Sequence, residues 1–72
     1  MNHANRSKRG GRANPLPEEI RRARAVALLS TRAAADLIYC SERTWMYWEN
    51  GQNRMHPAFW ELWQAKASGL KT

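Results

Sequence analysis

The sequence predicts an all-α domain of four short helices, and two observations support that prediction. Apolar residues recur at spacings of three and four in four separate segments, and no segment shows the alternation typical of a strand. Serine, proline and glycine stand at the ends of these segments, where helices begin and end. A chain of 72 residues forms one small domain with a marginal core. Its single cysteine excludes an intrachain disulfide, so association with a second copy is the expected stabiliser.

The first and last predicted helices are each opened by a proline. Helix one is predicted over about residues 17–28, with Pro17 at its first position and two glutamates behind it. Its inward stripe is formed by Ile20, Ala23, Ala27 and Leu28. Pro57 opens helix four, which is predicted over about residues 57–67 and is rich in aromatic residues. A fifth helix is left open.

The second and third predicted helices each follow a serine cap. Ser30 precedes a helix over about residues 31–38, and Ser41 precedes a helix over about residues 42–50 that ends at Gly51. The inward residues of these two helices are Ala34, Leu37, Ile38, Trp45 and Trp48. Two short helices joined by a tight turn, the second with polar residues outward, are typical of a helix-turn-helix that reads DNA.

These residues resemble the Cro and phage-repressor type of helix-turn-helix protein, the XRE family. The similarity covers about residues 18–67 and is found in Leu29 to Ile38, Ser41-x-Arg43-Thr44-Trp45 and Trp48-Glu49-Asn50-Gly51. The tail from Met55 to Lys66 is similar to small regulators of phages and mobile elements. Family members usually have glycine in place of Tyr39 and often glutamine in place of Thr31.

The resemblance implies a Cro/lambda-repressor-like fold and a sequence-specific regulator of transcription that binds double-stranded DNA. Such a protein would be a homodimeric repressor on an inverted-repeat operator of a phage or mobile-element operon, in some members its own operon. It would work at the nucleoid, in the cytoplasm of a bacterium or phage-infected host. Two alternatives remain open: an antitoxin-like module that binds DNA and protein, and an RNA binder that uses an arginine-containing arm.

The candidates for base reading lie on the outward side of helix three: Glu42, Arg43, Met46 and Tyr47. The planar fork of Arg43 matches the N7 and O6 acceptors of guanine. Glu42 either accepts from a cytosine amino group, orients Arg43, or is stabilised only by the helix dipole. The candidates for phosphate binding are Thr31, Arg32, Thr44, Asn50, Asn53 and Arg54. For Arg32, an ion pair with Glu49 inside the domain is a rival role.

The charge is concentrated at the amino end. The net charge is +6, and residues 1–14 hold four cations and no acid. Those cations are Arg6, Lys8, Arg9 and Arg12. The composition of residues 1–14 predicts a disordered basic arm before a DNA-binding domain over residues 15–72. The arm either contacts phosphates or a minor groove, or is a solvated tail.

Four tryptophans exceed what so small a core readily buries, so Trp60 and Trp63 are predicted to form the dimer interface, with the monomer core as their alternative location. No acid–base or nucleophile set stands out, so the chain is predicted not to be an enzyme. No cofactor or metal is expected, since His3, Cys40 and His56 are scattered. No apolar run is long enough for a membrane span, and the start lacks a signal peptide's apolar segment.

Overall fold

A computed structural model describes residues 13–70. This part of the chain contains four helices and no strand, which confirms the all-α prediction. The helices are α1 (Pro17–Val26), α2 (Thr31–Leu37), α3 (Glu42–Asn50) and α4 (Pro57–Gly69). The predicted arm cations Arg6, Lys8, Arg9 and Arg12 lie outside the described residues. Within them, every helix is too short or too polar to cross a bilayer.

The predicted caps fix the starts of α2 and α3. The hydroxyl of Ser30 accepts a hydrogen bond from the Ala33 N–H at 3.0 Å, and that of Ser41 accepts from the Thr44 N–H at 3.1 Å. Each serine thereby satisfies one of the backbone donors that a helix leaves free in its first turn. Gly51 ends α3 with a φ of 86°, in the left-handed region that glycine tolerates without cost.

The end of α1 differs from the prediction. The helix ends at Val26, and Leu28 has a φ of 61° with 90% of its surface exposed, so its assignment to the inward stripe was wrong. The Leu28 N–H donates to the Ala25 carbonyl, and the Leu29 N–H donates to the Arg24 carbonyl. This Schellman pattern ends the helix before position 28, so Leu28 does not continue the apolar face of the helix.

The core is built around two indoles from different helices. Trp45 of α3 and Trp63 of α4 are buried, with ring centroids 5.3 Å apart. The Trp63 Nε1–H donates to the Ala34 carbonyl at 3.0 Å, so this buried ring keeps a hydrogen-bond partner. Ala34 and Ala35 are both buried, and their small side chains let α2 approach the core closely.

The segment before α1 is tied to the loop before α4. The side-chain amide of Asn14 donates to the Met55 carbonyl at 2.8 Å, and Pro15 beside it is buried. The Leu16 N–H donates to the Glu19 carboxylate at 2.8 Å, which closes the first turn of α1. The described part of the chain therefore begins at a fixed point on the domain.

Candidate nucleic-acid interface

The turn between α2 and α3 is closed by backbone hydrogen bonds although it lacks glycine. Tyr39 has a φ of 60°, its N–H bonds to the Asp36 carbonyl, and the Cys40 N–H bonds to the Ala35 carbonyl. This is the same Schellman pattern that ends α1. Tyr39 therefore holds a left-handed backbone conformation, at a cost in backbone strain.

Lys66 of α4 holds this turn from outside. Its Nζ donates to the Leu37 carbonyl at 2.9 Å, at the carboxyl end of α2, where the helix dipole favours a cation. The same Nζ lies 4.3 Å from the centre of the Tyr39 ring and 3.2 Å from its hydroxyl. Burial raises the pKa of the neighbouring Cys40 thiol above its ordinary value, so this thiol is a poor nucleophile.

The first turn of α3 presents a free cation. Arg43 is exposed, and its guanidinium has no partner among residues 13–70. Met46, three residues after Arg43, is also exposed, whereas Tyr47 is half-buried. The predicted outward face of α3 is therefore accessible at Arg43 and Met46, and partly at Tyr47.

Glu42 is held by the first residue of α2. The Thr31 hydroxyl donates to the Glu42 carboxylate at 2.6 Å, which brings the amino ends of α2 and α3 side by side. A threonine hydroxyl carries one proton. That proton is directed at Glu42, and the donation from Thr31 to a phosphate stays a prediction.

The other predicted phosphate-binding residues lie at the amino ends of α2 and α3 and at the carboxyl end of α3 with the loop that follows it. Arg32, Asn50, Asn53 and Arg54 are exposed, and Thr44 is half-buried. The side chain of Asn50 bonds to Gln52 and stabilises the loop after α3, with its Oδ1 accepting from the Gln52 N–H at 3.0 Å. Thr44 receives a hydrogen bond from the Ser41 hydroxyl at 3.0 Å.

A buried ion pair anchors α3 from behind. Glu49 accepts from Arg24 Nε at 2.5 Å and from Arg24 Nη2 at 3.1 Å, and its Oε2 also accepts from the Trp45 indole at 2.5 Å. The hydrogen bond to Glu49 raises the pKa of the Arg24 guanidinium above its ordinary value. Arg21 donates to the Glu49 backbone carbonyl, which fastens the carboxyl end of α3 to α1.

The rival pairing of Arg32 with Glu49 was wrong, because Arg24 of α1 occupies that carboxylate and Arg32 points to solvent. Arg24 was not among the residues predicted to form the inward stripe of α1. The spacing of Arg21 and Arg24 could have indicated that both contact the same neighbouring element, because residues three apart share a helix face.

The two tryptophans of α4 have different environments. Trp63 is only 1% exposed, so its ring is in the core and not on a surface that a second copy of the chain could contact. Trp60 is half-buried and stacks on Trp63, with ring centroids 5.8 Å apart. Trp60 also lines an open groove of about 440 Å³ between α1 and α4, next to Ala23 and Val26.

A comparison with known proteins finds a partial similarity. No protein-family profile matches the chain. A stretch of 50 residues, 69% of the chain, is 36% identical to the type II methyltransferase M.MspI of Moraxella sp. The chain spans 12% of the length of that protein. The prediction that the chain is not an enzyme is contradicted by this match, because the similar protein is an enzyme.

Proposed function

We propose that this chain binds double-stranded DNA in a sequence-specific way through the amino end of α3 and regulates transcription. The observation that supports this most is Arg43, an exposed guanidinium without a partner in residues 13–70, at the start of a helix fixed on three sides. The Ser41 cap fixes its start, the Glu49 ion pair fixes its end, and Trp45 fixes its inner face. A rigid helix with an unpaired cation in its first turn suits a major groove.

Base reading follows from the side chains on this face. Arg43 donates two hydrogen bonds to guanine O6 and N7, a pairing worth about 1–3 kcal/mol of discrimination. Met46 and Tyr47 lie further along α3 and contact a thymine methyl group or the sugar-phosphate strand. Arg32 and Arg54 bind phosphates on either side and set the position of α3 along the duplex.

The regulator is proposed to act as a homodimer that binds an inverted repeat. The bound dimer excludes polymerase from a phage or mobile-element promoter. The resemblance to the XRE family supports this part of the proposal. The groove beside Trp60 offers an apolar surface for a second copy, with Ala23 and Val26 on its other side. Two half-sites about one helical turn apart would then be bound at once.

A second candidate function is recognition of DNA within a methyl-transferring protein. The similarity to the type II methyltransferase M.MspI supports it. Methyltransferases that act on a base must engage the duplex and take that base out of the stack. A helical segment that positions the protein on its target sequence would serve such an enzyme as well as it serves a regulator.

Selection of duplexes from a random pool, followed by titration with the Arg43→Ala variant, tests the main proposal. The wild-type chain should enrich an inverted repeat with guanine in each half-site. Arg43→Ala should lose about 5- to 150-fold of the preference for that guanine and keep salt-sensitive background binding. Arg22→Ala removes an exposed arginine from α1 and is the matched control, which should keep the preference.

The absence of salt-dependent affinity of the wild-type chain for any duplex would contradict the proposal. Enrichment of hairpins in a parallel selection from a random RNA pool would favour the RNA-binding alternative. Label transferred to the selected duplex from S-adenosylmethionine would support the methyl-transferring protein, whereas specific binding without label is expected of either candidate, since the chain spans 12% of the length of the similar enzyme.

A further inference from the structure

Building on the proposed function, we infer that Thr31 and Glu42 act as one hydrogen-bonded unit that reads cytosine. The target of α3 then carries a C·G base pair opposite Glu42, near the guanine that Arg43 contacts. This assigns a base to the acidic residue of the site and gives Thr31 a role in sequence discrimination.

The geometry leaves one acceptor of this unit open. Thr31 Oγ1 donates to Glu42 Oε2 at 2.6 Å, while Oε1 has no partner within residues 13–70. Glu42 is the first residue of α3, so it stands at the end of the helix that would enter the groove first. The carboxylate is half-buried and held between two helices, so Oε1 keeps a defined direction.

A carboxylate oxygen without a partner can only accept hydrogen bonds, and this selects among the four bases. In the major groove only the N4 amino group of cytosine and the N6 amino group of adenine donate hydrogen bonds. Adenine places its N7 acceptor beside N6, and a carboxylate has no proton to offer that nitrogen. Thymine and guanine present acceptors at this edge and repel the carboxylate. Cytosine is therefore the base that Glu42 fits.

Glu42 needs Thr31 to read a base because the phosphates around the site repel its carboxylate. A free glutamate is repelled by the DNA strand and turns away, since its long side chain has many rotamers. The hydroxyl of Thr31 holds the carboxylate in place and leaves it as an acceptor. Thr31 thus acts as a positioning residue for Glu42.

Exchange of the carboxylate for an amide tests the inference. In the same random-pool selection, the wild-type chain should enrich cytosine at one position of each half-site. Glu42→Gln should change that position from cytosine to adenine, because glutamine both donates to N7 and accepts from N6. The ratio of affinities for the two duplexes should shift by at least about fivefold.

Two variants of Thr31 test the positioning role. Thr31→Val keeps the shape and removes the donor, so the preference for cytosine should fall while affinity for unrelated duplexes stays. Thr31→Ser restores the hydroxyl and should restore the preference. Thermal melting identifies any variant that has lost its fold, and Thr31→Ser and Glu42→Gln are the variants that carry the test if Thr31→Val unfolds.

Asp36→Asn is the control for charge. It removes an exposed carboxylate from α2, away from the amino ends of both helices, and should raise affinity for all duplexes without changing any base preference. A Glu42→Gln variant with the same base preferences as the wild-type chain overturns the inference, as does a wild-type chain that binds duplexes without preference. Failure of the wild-type chain to bind any duplex is the separate result that removes the proposed function.

Discussion

At the scale of single residues, two positions adopt a backbone conformation that their side chains disfavour. Leu28 and Tyr39 have φ values of 61° and 60°, and both follow the end of a helix in a Schellman pattern. For a residue with a Cβ atom, the left-handed region costs about 1–2 kcal/mol. Tyr39 recovers part of this cost through its contact with Lys66, whereas Leu28 is 90% exposed and buries almost nothing.

Leu28→Gly should therefore stabilise the domain. Removal of the strain is offset in part by the greater freedom of glycine in the unfolded chain, which costs about 0.5–1 kcal/mol. The net gain should be about 0.5–1 kcal/mol, a rise of a few degrees in the melting temperature, measured by circular dichroism. Leu28→Ala keeps the strain and should melt close to the wild-type chain. A Leu28→Gly variant that melts at a lower temperature would contradict this explanation.

At the scale of elements, the orientation of α3 depends on a partly buried ion pair. The side chain of Glu49 is 9% exposed and that of its partner Arg24 is 24% exposed. The carboxylate also accepts from the Trp45 indole, so one acid links α1 to the core face of α3. Removal of this acid leaves the Arg24 guanidinium with the Leu29 carbonyl as its remaining acceptor, at 3.1 Å, and leaves the Trp45 indole N–H without its acceptor.

Glu49→Ala should destabilise the domain by about 3 kcal/mol, the lower end of the range for a broken buried pair, because Arg24 keeps some contact with water. Chemical denaturation followed by tryptophan fluorescence measures the change. Asp36→Ala removes an exposed acid and should change the free energy of unfolding by less than about 0.5 kcal/mol. Equal effects of the two substitutions would show that the Glu49 pair does not hold α3.

The elements also show which features of the fold can be predicted from sequence. Ser30, Ser41 and Gly51 act on their own helices, and local patterns predicted them correctly. The pairing of Arg24 with Glu49 depends on how α1 crosses α3, which no local pattern specifies. The bond between Thr31 and Glu42 likewise depends on the turn between their helices, and it brings together two residues that were assigned separate roles.

At the scale of the whole molecule, charge is divided between the arm and the folded domain. Residues 13–70 contain seven basic and six acidic residues, and residues 1–12 contain four basic residues and no acid. Non-specific attraction to a polyanion should therefore come largely from the first twelve residues.

Deletion of residues 1–12 should weaken binding to every duplex by a similar factor and leave the ranking of sequences unchanged. The slope of log affinity against log salt should fall by up to about 3–4 per chain, since each phosphate contact contributes about 0.9. Fluorescence anisotropy at several salt concentrations gives both quantities. An unchanged slope would show that residues 1–12 are only a solvated tail.

The hydrogen bond from Asn14 to Met55 determines where those four cations are tethered. It fastens Asn14 beside the loop that carries Asn53 and Arg54, so the described part of the chain begins at the edge of the domain where that loop lies. Twelve residues reach at most about 40 Å when fully extended. Contacts between the cations of residues 1–12 and DNA can therefore lie no further than this distance from that edge.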